Sequence, residues 1–347
     1  MRHAILGAGG VGLALGAALA RGGHDVTLVM REPTRARYAG VIDVHSALRG
    51  DHRVPVRAVG RLDEPVDVLW VTVKAPALGA ALSRTAPGAP PGAVVPLLNG
   101  LDHPAVLRDM FGPRQIVGAV RVEAERTGPG RVTWNSLFAE VSLAERDTPA
   151  APGDDTPGTD TPGTDNAGTD TPGDDEPGAD ASRATALAGV TASLADAGIA
   201  CVTEPHPAAV LWRKLVLLLP LALATTAADG PLGVVRRRPG AAALLRDAAR
   251  EACAVAAAEG VAVDEAELLR TLDTLPGRTD TSLRRDMAAG VRPTELAALT
   301  EPVLRRARDH DLVLPAVTEL TRRAAEREGR AGTPAPHRST YTKGETS

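Results

Sequence analysis

His3-Ala4-Ile5-Leu6-Gly7-Ala8-Gly9-Gly10-Val11-Gly12-Leu13-Ala14 stands at the head of the chain. A short apolar run, a glycine-rich turn and an alanine-rich helical pattern follow one another without a gap. This is the strand–turn–helix context that a dinucleotide pyrophosphate requires. Gly7 permits the tight turn, Gly9 lets the backbone approach the phosphates, and Gly12 lets helix and strand pack closely. The helix N-terminus adds free N–H groups and the positive end of a dipole. Gly7, Gly9, Gly10, Val11 and Gly12 are therefore the first candidate cofactor-binding residues.

Working outward, the first 145 residues alternate short Val/Leu/Ile runs with Ala/Leu-rich helical patterns. Strands are expected at His3–Leu6, Asp25–Val29, Val68–Val73, Val94–Leu97, Ile116–Val122 and Phe138–Leu143, with helices at Val11–Arg21 and Pro104–Met110 among others. Such alternation implies parallel βαβ units. Arg183–Ala197 reads as a helix and Ala200–Thr203 as one more strand. From about 206 every segment reads as helix: Pro207–Ala228, Ala241–Glu259, Asp264–Leu275, Ser282–Ala289, Thr294–His310 and Pro315–Glu328. The expected class is α/β, with a Rossmann-type dinucleotide-binding domain over 1–204 followed by an all-α domain over 205–328. Residues 151–180 are six pentads, APGDD, TPGTD, TPGTD, NAGTD, TPGDD and EPGAD. They hold no large apolar side chain, so 147–182 is expected to be a disordered insertion in a surface loop. Residues 329–347 are expected to form a flexible tail.

Hydrophobic residues are 44% of the 347 and aromatics only 2%, so the cores must be built from Ala, Val and Leu. Net charge is −4, yet the pentads carry nine acids and no base. The remainder, with 39 bases against 34 acids, is mildly basic. That balance suits a small anionic ligand and is far too weak for nucleic acid. The longest uncharged apolar run, Leu215 to Ala228, falls short of the roughly 18 residues a bilayer span needs, so no membrane association is expected. MRHAILGAGG lacks the zones of a secretory signal. Cys201 and Cys253 have no ligand spacing around them, so neither a disulfide framework nor a metal site is expected, and a reducing cytoplasm fits.

The second strand ends Leu28-Val29-Met30-Arg31, where an NAD enzyme usually carries an acid for the ribose hydroxyls. An arginine suits a 2′-phosphate instead, which selects NADP(H). Of the 39 basic residues 36 are Arg, and only Lys74, Lys214 and Lys343 are Lys. Lysine can be tuned to release a proton and arginine cannot, so a retained lysine draws attention. Lys343 lies in the tail. Lys74 follows a strand at the carboxyl edge where open α/β sheets bind ligands. Lys214 begins an apolar helical run. Asn99 sits in Leu97-Leu98-Asn99-Gly100, directly after another strand.

Taken together, the N-terminal glycine motif, Arg31, Lys74, Asn99-Gly100 and Trp212-Arg213-Lys214 resemble the ketopantoate reductase (2-dehydropantoate 2-reductase) family. The resemblance continues in Thr281-Ser282-Leu283 with Asp286, in Arg292-Pro293-Thr294-Glu295, and in Leu304-Arg305-Arg306-Ala307. It spans about 1–146 and 183–328. It implies NADPH-dependent reduction of a 2-keto acid to a 2-hydroxy acid, with ketopantoate as the small anionic substrate. By the same resemblance Lys214 is the catalytic acid, and Glu295 supports both that lysine and the substrate hydroxyl. Lys74 and Asn99 lie around the nicotinamide and the reacting carbonyl, and Ser282 helps bind substrate. A homodimer is compatible with it.

The pattern breaks in one place. The family carries asparagines four and eight residues after the lysine, substrate-binding positions that here are Leu218 and Ala222. Pro220 is expected to kink that helix or remove a backbone bond. One extra residue separates Asp286 from Glu295. These departures keep two further readings open: a reductase of a more apolar carbonyl or imine, and a non-reducing protein that binds NADP(H).

Overall fold

The computed structural model describes residues 1–136, 139–144 and 178–331. It divides into two compact units, one ending at Lys214 and the other beginning at Leu215. In the first, β1 is Arg2–Leu6, α1 Gly10–Arg21, β2 Asp25–Val29, α2 Glu32–Arg35, β3 Val41–His45, β4 His52–Pro55 and β5 Arg57–Val59. Then come β6 Val68–Val71, α3 Leu78–Leu82, β7 Ala93–Pro96 and α4 His103–Phe111. The unit continues with β8 Val117–Arg121, β9 Ala124–Gly128, β10 Arg131–Trp134, β11 Glu140–Ala144, α5 Gly178–Asp196 and β12 Ala200–Thr203.

Five strands form an all-parallel sheet in the order β5-β2-β1-β6-β7. Every residue of β6 and β7 is buried, as expected of a parallel sheet covered on both faces. An isolated parallel bridge between Val94 and Gln115 leads from β7 toward β8, which begins a three-stranded sheet ordered β12-β11-β8. A further sheet, β4-β3-β10-β9, packs on α1. Gly12 to Leu19 are consequently buried without interruption, since α1 lies between two sheets and meets Ile5 and Leu28 on one and Ile42, Val44 and Val132 on the other.

This second sheet was not expected. Of its strands β3 and β10 bury alternate residues, as in Arg131-Val132-Thr133-Trp134, β4 buries only Val54 and β9 none, so they show no apolar run. The short edge strand β5 was not expected either; the strands that were expected agree with the structure at their edges to within two residues, apart from Phe138, which lies outside the described residues.

In the second unit, α6 spans Pro207–Ala228 and is followed by α7 Leu232–Arg236, α8 Pro239–Ala258 and α9 Glu265–Thr274. α10 is Ser282–Ala288, α11 Leu296–Asp309 and α12 Pro315–Ala331. Its core is aliphatic and small, with Ala248, Ala252 and Ala256 of α8 near Val317, Leu320 and Ala324 of α12. The division at Lys214 falls inside α6, beyond the change of pattern near 204–206. The first turns of α6 belong with the strands, because Val210 is buried with Val117, Ala119 and Ala144, and Leu211 packs on the same cluster.

Three expectations need correction. The insertion was placed over 147–182; residues up to 177 lie outside the described residues, but 178–182 open α5. The tail was to begin at 329, yet α12 runs to Ala331, and 332–347 lie outside the described residues. A third concerns α6. Taken whole, it is long and apolar enough to cross a bilayer, and 67% of its most apolar stretch is buried inside the protein. Such burial is what the core helix of a folded domain shows. The helix also runs unbroken through Pro220.

Candidate active site

Four of the predicted loops meet at one edge of the parallel sheet. The glycine turn leaves the carboxyl end of β1, Arg31 follows β2, Lys74 follows β6 and Asn99 follows β7. Parallel strands bring these ends together, and this edge is where open α/β sheets hold ligands.

The glycines differ in what requires them. Gly7 adopts φ +115°, and a Cβ there would stand 2.7 Å from Val73 Cγ1. A Cβ at Gly10 would lie 2.1 Å from the Ala124 carbonyl oxygen of β9. At Gly12 it would lie 2.0 Å from the Gly7 carbonyl oxygen. Packing of the protein itself therefore excludes side chains at these three positions. Gly9 is different: nothing lies within 4 Å of its Cβ position, and its φ of −83° suits any residue. It caps α1, whose first turn carries no acid and whose first N–H groups have no partner within the helix. Open space beside Gly9 and a row of N–H donors fit the pyrophosphate of NADP(H).

Arg31 is exposed and caps the short α2. The neighbouring acid, Glu32, is committed elsewhere: Arg35 donates to it from Nε at 2.9 Å and from Nη2 at 2.8 Å. That pair holds the Glu32 carboxyl below its usual range. The acid that follows β2 is thereby paired within α2, while Arg31 is exposed toward solvent. Lys74 is exposed and starts the turn Ala75–Ala77. Asn99 is half-buried, and Gly100 beside it needs its φ of +95°.

Lys214 is half-buried on α6. Its charge is felt at His103, the first residue of α4, four positions beyond Asn99. Burial, reinforced by Lys214, pushes the His103 ring down to about 3. The ring is 4% exposed and neither nitrogen has a hydrogen-bond partner. Sequence reasoning missed this histidine; only its place after Leu97-Leu98-Asn99-Gly100 pointed toward it. It also missed Thr72, whose hydroxyl donates to the Gly7 carbonyl at 2.7 Å.

In the second unit, Leu218 is half-buried and Ala222 buried on α6. Ser282 opens α10, and Glu295 is buried at the start of α11. The Thr225 hydroxyl, one turn beyond Ala222, lies 2.9 Å from that of Thr281, the residue before Ser282. These geometries join α6 to the end of α10 that carries Ser282.

A parallel dinucleotide-binding sheet with an arginine after its second strand, continued by an all-helical unit, is the architecture of a nicotinamide-dependent oxidoreductase. Two family descriptions match the chain: ketopantoate reductase PanE/ApbA over residues 3–147 and ketopantoate reductase PanE/ApbA C terminal over 208–328. The 2-dehydropantoate 2-reductase of Halobacterium salinarum is 30% identical over 343 residues, covering 95% of this chain and 100% of that protein. A crystal structure of a PanE/ApbA family ketopantoate reductase from Ralstonia eutropha JMP134 superposes with a TM-score of 0.74 at 25% identity, over 95% of this chain and 99% of that one. D-mandelate dehydrogenase, in a ternary structure with NADH and anilino(oxo)acetate, shares the fold with a TM-score of 0.76 at 18% identity, over 96% and 100% of the two chains. The chain belongs to the ketopantoate reductase family. It is an NADP-dependent oxidoreductase whose chemistry is reduction of a 2-keto acid.

Proposed function

We propose that this protein reduces 2-dehydropantoate to pantoate, with Lys214 as the general acid and Glu295 supporting it. NADPH, when bound, supplies a hydride to C2 of the keto acid. Negative charge then builds on the C2 oxygen, and an ammonium stabilises and protonates it. Gly9, Gly10 and Val11 offer backbone N–H groups to the pyrophosphate, and Arg31 takes the 2′-phosphate. Lys74 and Asn99 border the reacting carbonyl, and Ser282 binds the substrate.

The observation that carries the reading concerns Lys214. It is half-buried in a chain with three lysines, and its charge bears on the buried His103 ring at the start of α4. An ammonium so placed can stabilise and protonate an oxyanion that develops beside it.

Leu218 and Ala222 favour a second reading on one point. Two apolar side chains replace two amides, and each lost polar contact costs about 1–3 kcal/mol. A more apolar 2-keto acid or imine would not need them, and a protein that only binds NADP(H) would need neither.

NADPH oxidation followed by absorbance, with ketopantoate beside bulkier 2-keto acids, tests both. Turnover of ketopantoate that disappears in Lys214→Ala supports the proposal. Faster turnover of a bulkier acid moves the assignment to the second reading. Tight NADPH binding without turnover of any substrate rejects both enzymes.

A further inference from the structure

We propose that Thr72 is a positioning residue for the cofactor pyrophosphate: its hydroxyl holds the Gly7 carbonyl inward and keeps the glycine turn open to an anion. The inference rests on NADP(H) binding, which titration of the unaltered protein checks by itself. Thr72 follows β6 directly. Its N–H donates to the Leu6 carbonyl at 3.0 Å, extending the ladder by one residue. Its hydroxyl lies 2.7 Å from the Gly7 carbonyl oxygen and 3.3 Å from that of Leu6. A hydroxyl has one proton to donate, so the shorter contact is the principal bond.

The Gly7 carbonyl sits in a socket. Thr72 Oγ1 holds it on one side. On the other lies the first turn of α1, where a Cβ at Gly12 would stand 2.0 Å from that same oxygen and 2.6 Å from Thr72 Oγ1. The absent side chain at Gly12 thus makes room for a hydrogen bond as well as for helix packing. Val73 crowds the Gly7 Cα, its N lying 2.9 Å from the Cβ position of Gly7.

Peptide planarity carries this inward bond to the ligand side. In a trans peptide the C=O and N–H point in opposite directions, so a Gly7 carbonyl turned toward β6 turns the Ala8 N–H away from it. Glycine at positive φ has wide backbone freedom, and nothing intrinsic to Gly7 prevents this peptide from rotating. Without the Thr72 hydroxyl the carbonyl loses its side-chain donor in a partly buried place, and rotation toward solvent relieves it. The rotated carbonyl directs its lone pairs at the phosphates and repels them.

Calorimetric titration of the full chain tests this with three probes. These are NADPH, 2′-phospho-ADP-ribose, which keeps the pyrophosphate, and adenosine 2′-monophosphate, which lacks it. Thr72→Val should weaken NADPH and 2′-phospho-ADP-ribose by the same factor, about tenfold, and leave adenosine 2′-monophosphate unchanged. Thr72→Ser, which keeps the hydroxyl, should bind all three within about threefold of the parent. Thr72→Ala is read in the same way as Thr72→Val should the latter fail to fold. Unchanged NADPH affinity in the variants without the hydroxyl overturns the proposal. So does an equal loss of all three ligands, which marks a role in stability alone.

Discussion

The Thr225 hydroxyl on α6 stands 2.9 Å from the Thr281 hydroxyl that caps α10. Thr225 also lies 2.7 Å from the Leu221 carbonyl, and Thr281 Oγ1 accepts from Arg284 N–H at 3.4 Å. One arrangement of protons satisfies all three contacts: Arg284 N–H to Thr281, Thr281 to Thr225, and Thr225 to Leu221. Both threonines are buried, at 0% and 5% exposure, so water cannot replace a missing member. Thr225→Val should cost about 1–3 kcal/mol, because it strands the Thr281 hydroxyl. Thr225→Ser should recover most of it. Denaturant midpoints at constant slope measure both, and an unaltered midpoint in the valine variant would contradict the chain of bonds.

Gly9→Ala and Gly12→Ala should part company. At Gly12 the new carbon meets the Gly7 carbonyl oxygen 2.0 Å away and Thr72 Oγ1 at 2.6 Å, so the turn or α1 must shift to admit it. The expected result is a protein destabilised by several kcal/mol, on the order of other overpacked sites. At Gly9 the added methyl meets no protein atom, so the melting temperature should hold while NADPH affinity falls. Thermal melts with and without NADPH separate the two. A Gly9→Ala protein that binds NADPH normally would place the pyrophosphate elsewhere.

Arg31 should govern the choice between NADPH and NADH. Glu32 is engaged by Arg35 at 2.8 and 2.9 Å, which leaves Arg31 as the uncommitted charge nearest the end of β2. A charge-assisted contact to phosphate contributes about 1.5–3 kcal/mol. Arg31→Ala should therefore raise the KM for NADPH by about tenfold or more, with NADH little changed. Equal losses with both cofactors would argue against 2′-phosphate recognition.

Two buried rings make stability depend on pH. Burial pushes His103 down to about 3 and His3 down to about 4 from an ordinary 6.5. The Trp70 indole donates to His3 Nδ1 at 3.1 Å, which keeps that nitrogen as an acceptor and the ring neutral. Below 6.5 the unfolded chain takes up protons that the folded chain refuses. Stability is thus fully present above that pH and is lost as pH falls toward about 4 for His3 and about 3 for His103. Each ring contributes a slope of about 1.4 kcal/mol per pH unit in its window. The His103→Gln protein should follow a flatter curve than the parent between pH 6.5 and 4. Parallel curves in chemical denaturation would show that His103 is solvated and free to charge.

The nucleotide half was largely legible in the chain because its signals are local. Gly7 through Gly12 follow directly on Ile5-Leu6, and backbone geometry alone demands glycine at a turn with φ +115°. Four strands of the parallel sheet were legible too, β6 and β7 being continuously apolar, but its short edge strand β5, Arg57-Ala58-Val59, was not. Strands β3, β4, β9 and β10 were not, because a strand with one solvated face and several charges shows no apolar run until its partner is known.

Side-chain chemistry followed the same division. Scarcity of lysine and position along the chain singled out Lys74 and Lys214, and the resemblance to the ketopantoate reductase family marked Leu218 and Ala222 as positions where asparagines are usual. Tertiary structure decided which groups answer one another. Glu32 is spent on Arg35, Thr72 grips a carbonyl 65 residues away in the chain, and Thr225 meets Thr281 56 residues on. Burial set the state of His103, which nothing in its neighbours Asp102 and Pro104 foretells. Hydrogen bonds and desolvation depend on distances of a few ångströms between residues far apart in sequence, and only the folded chain determines those distances.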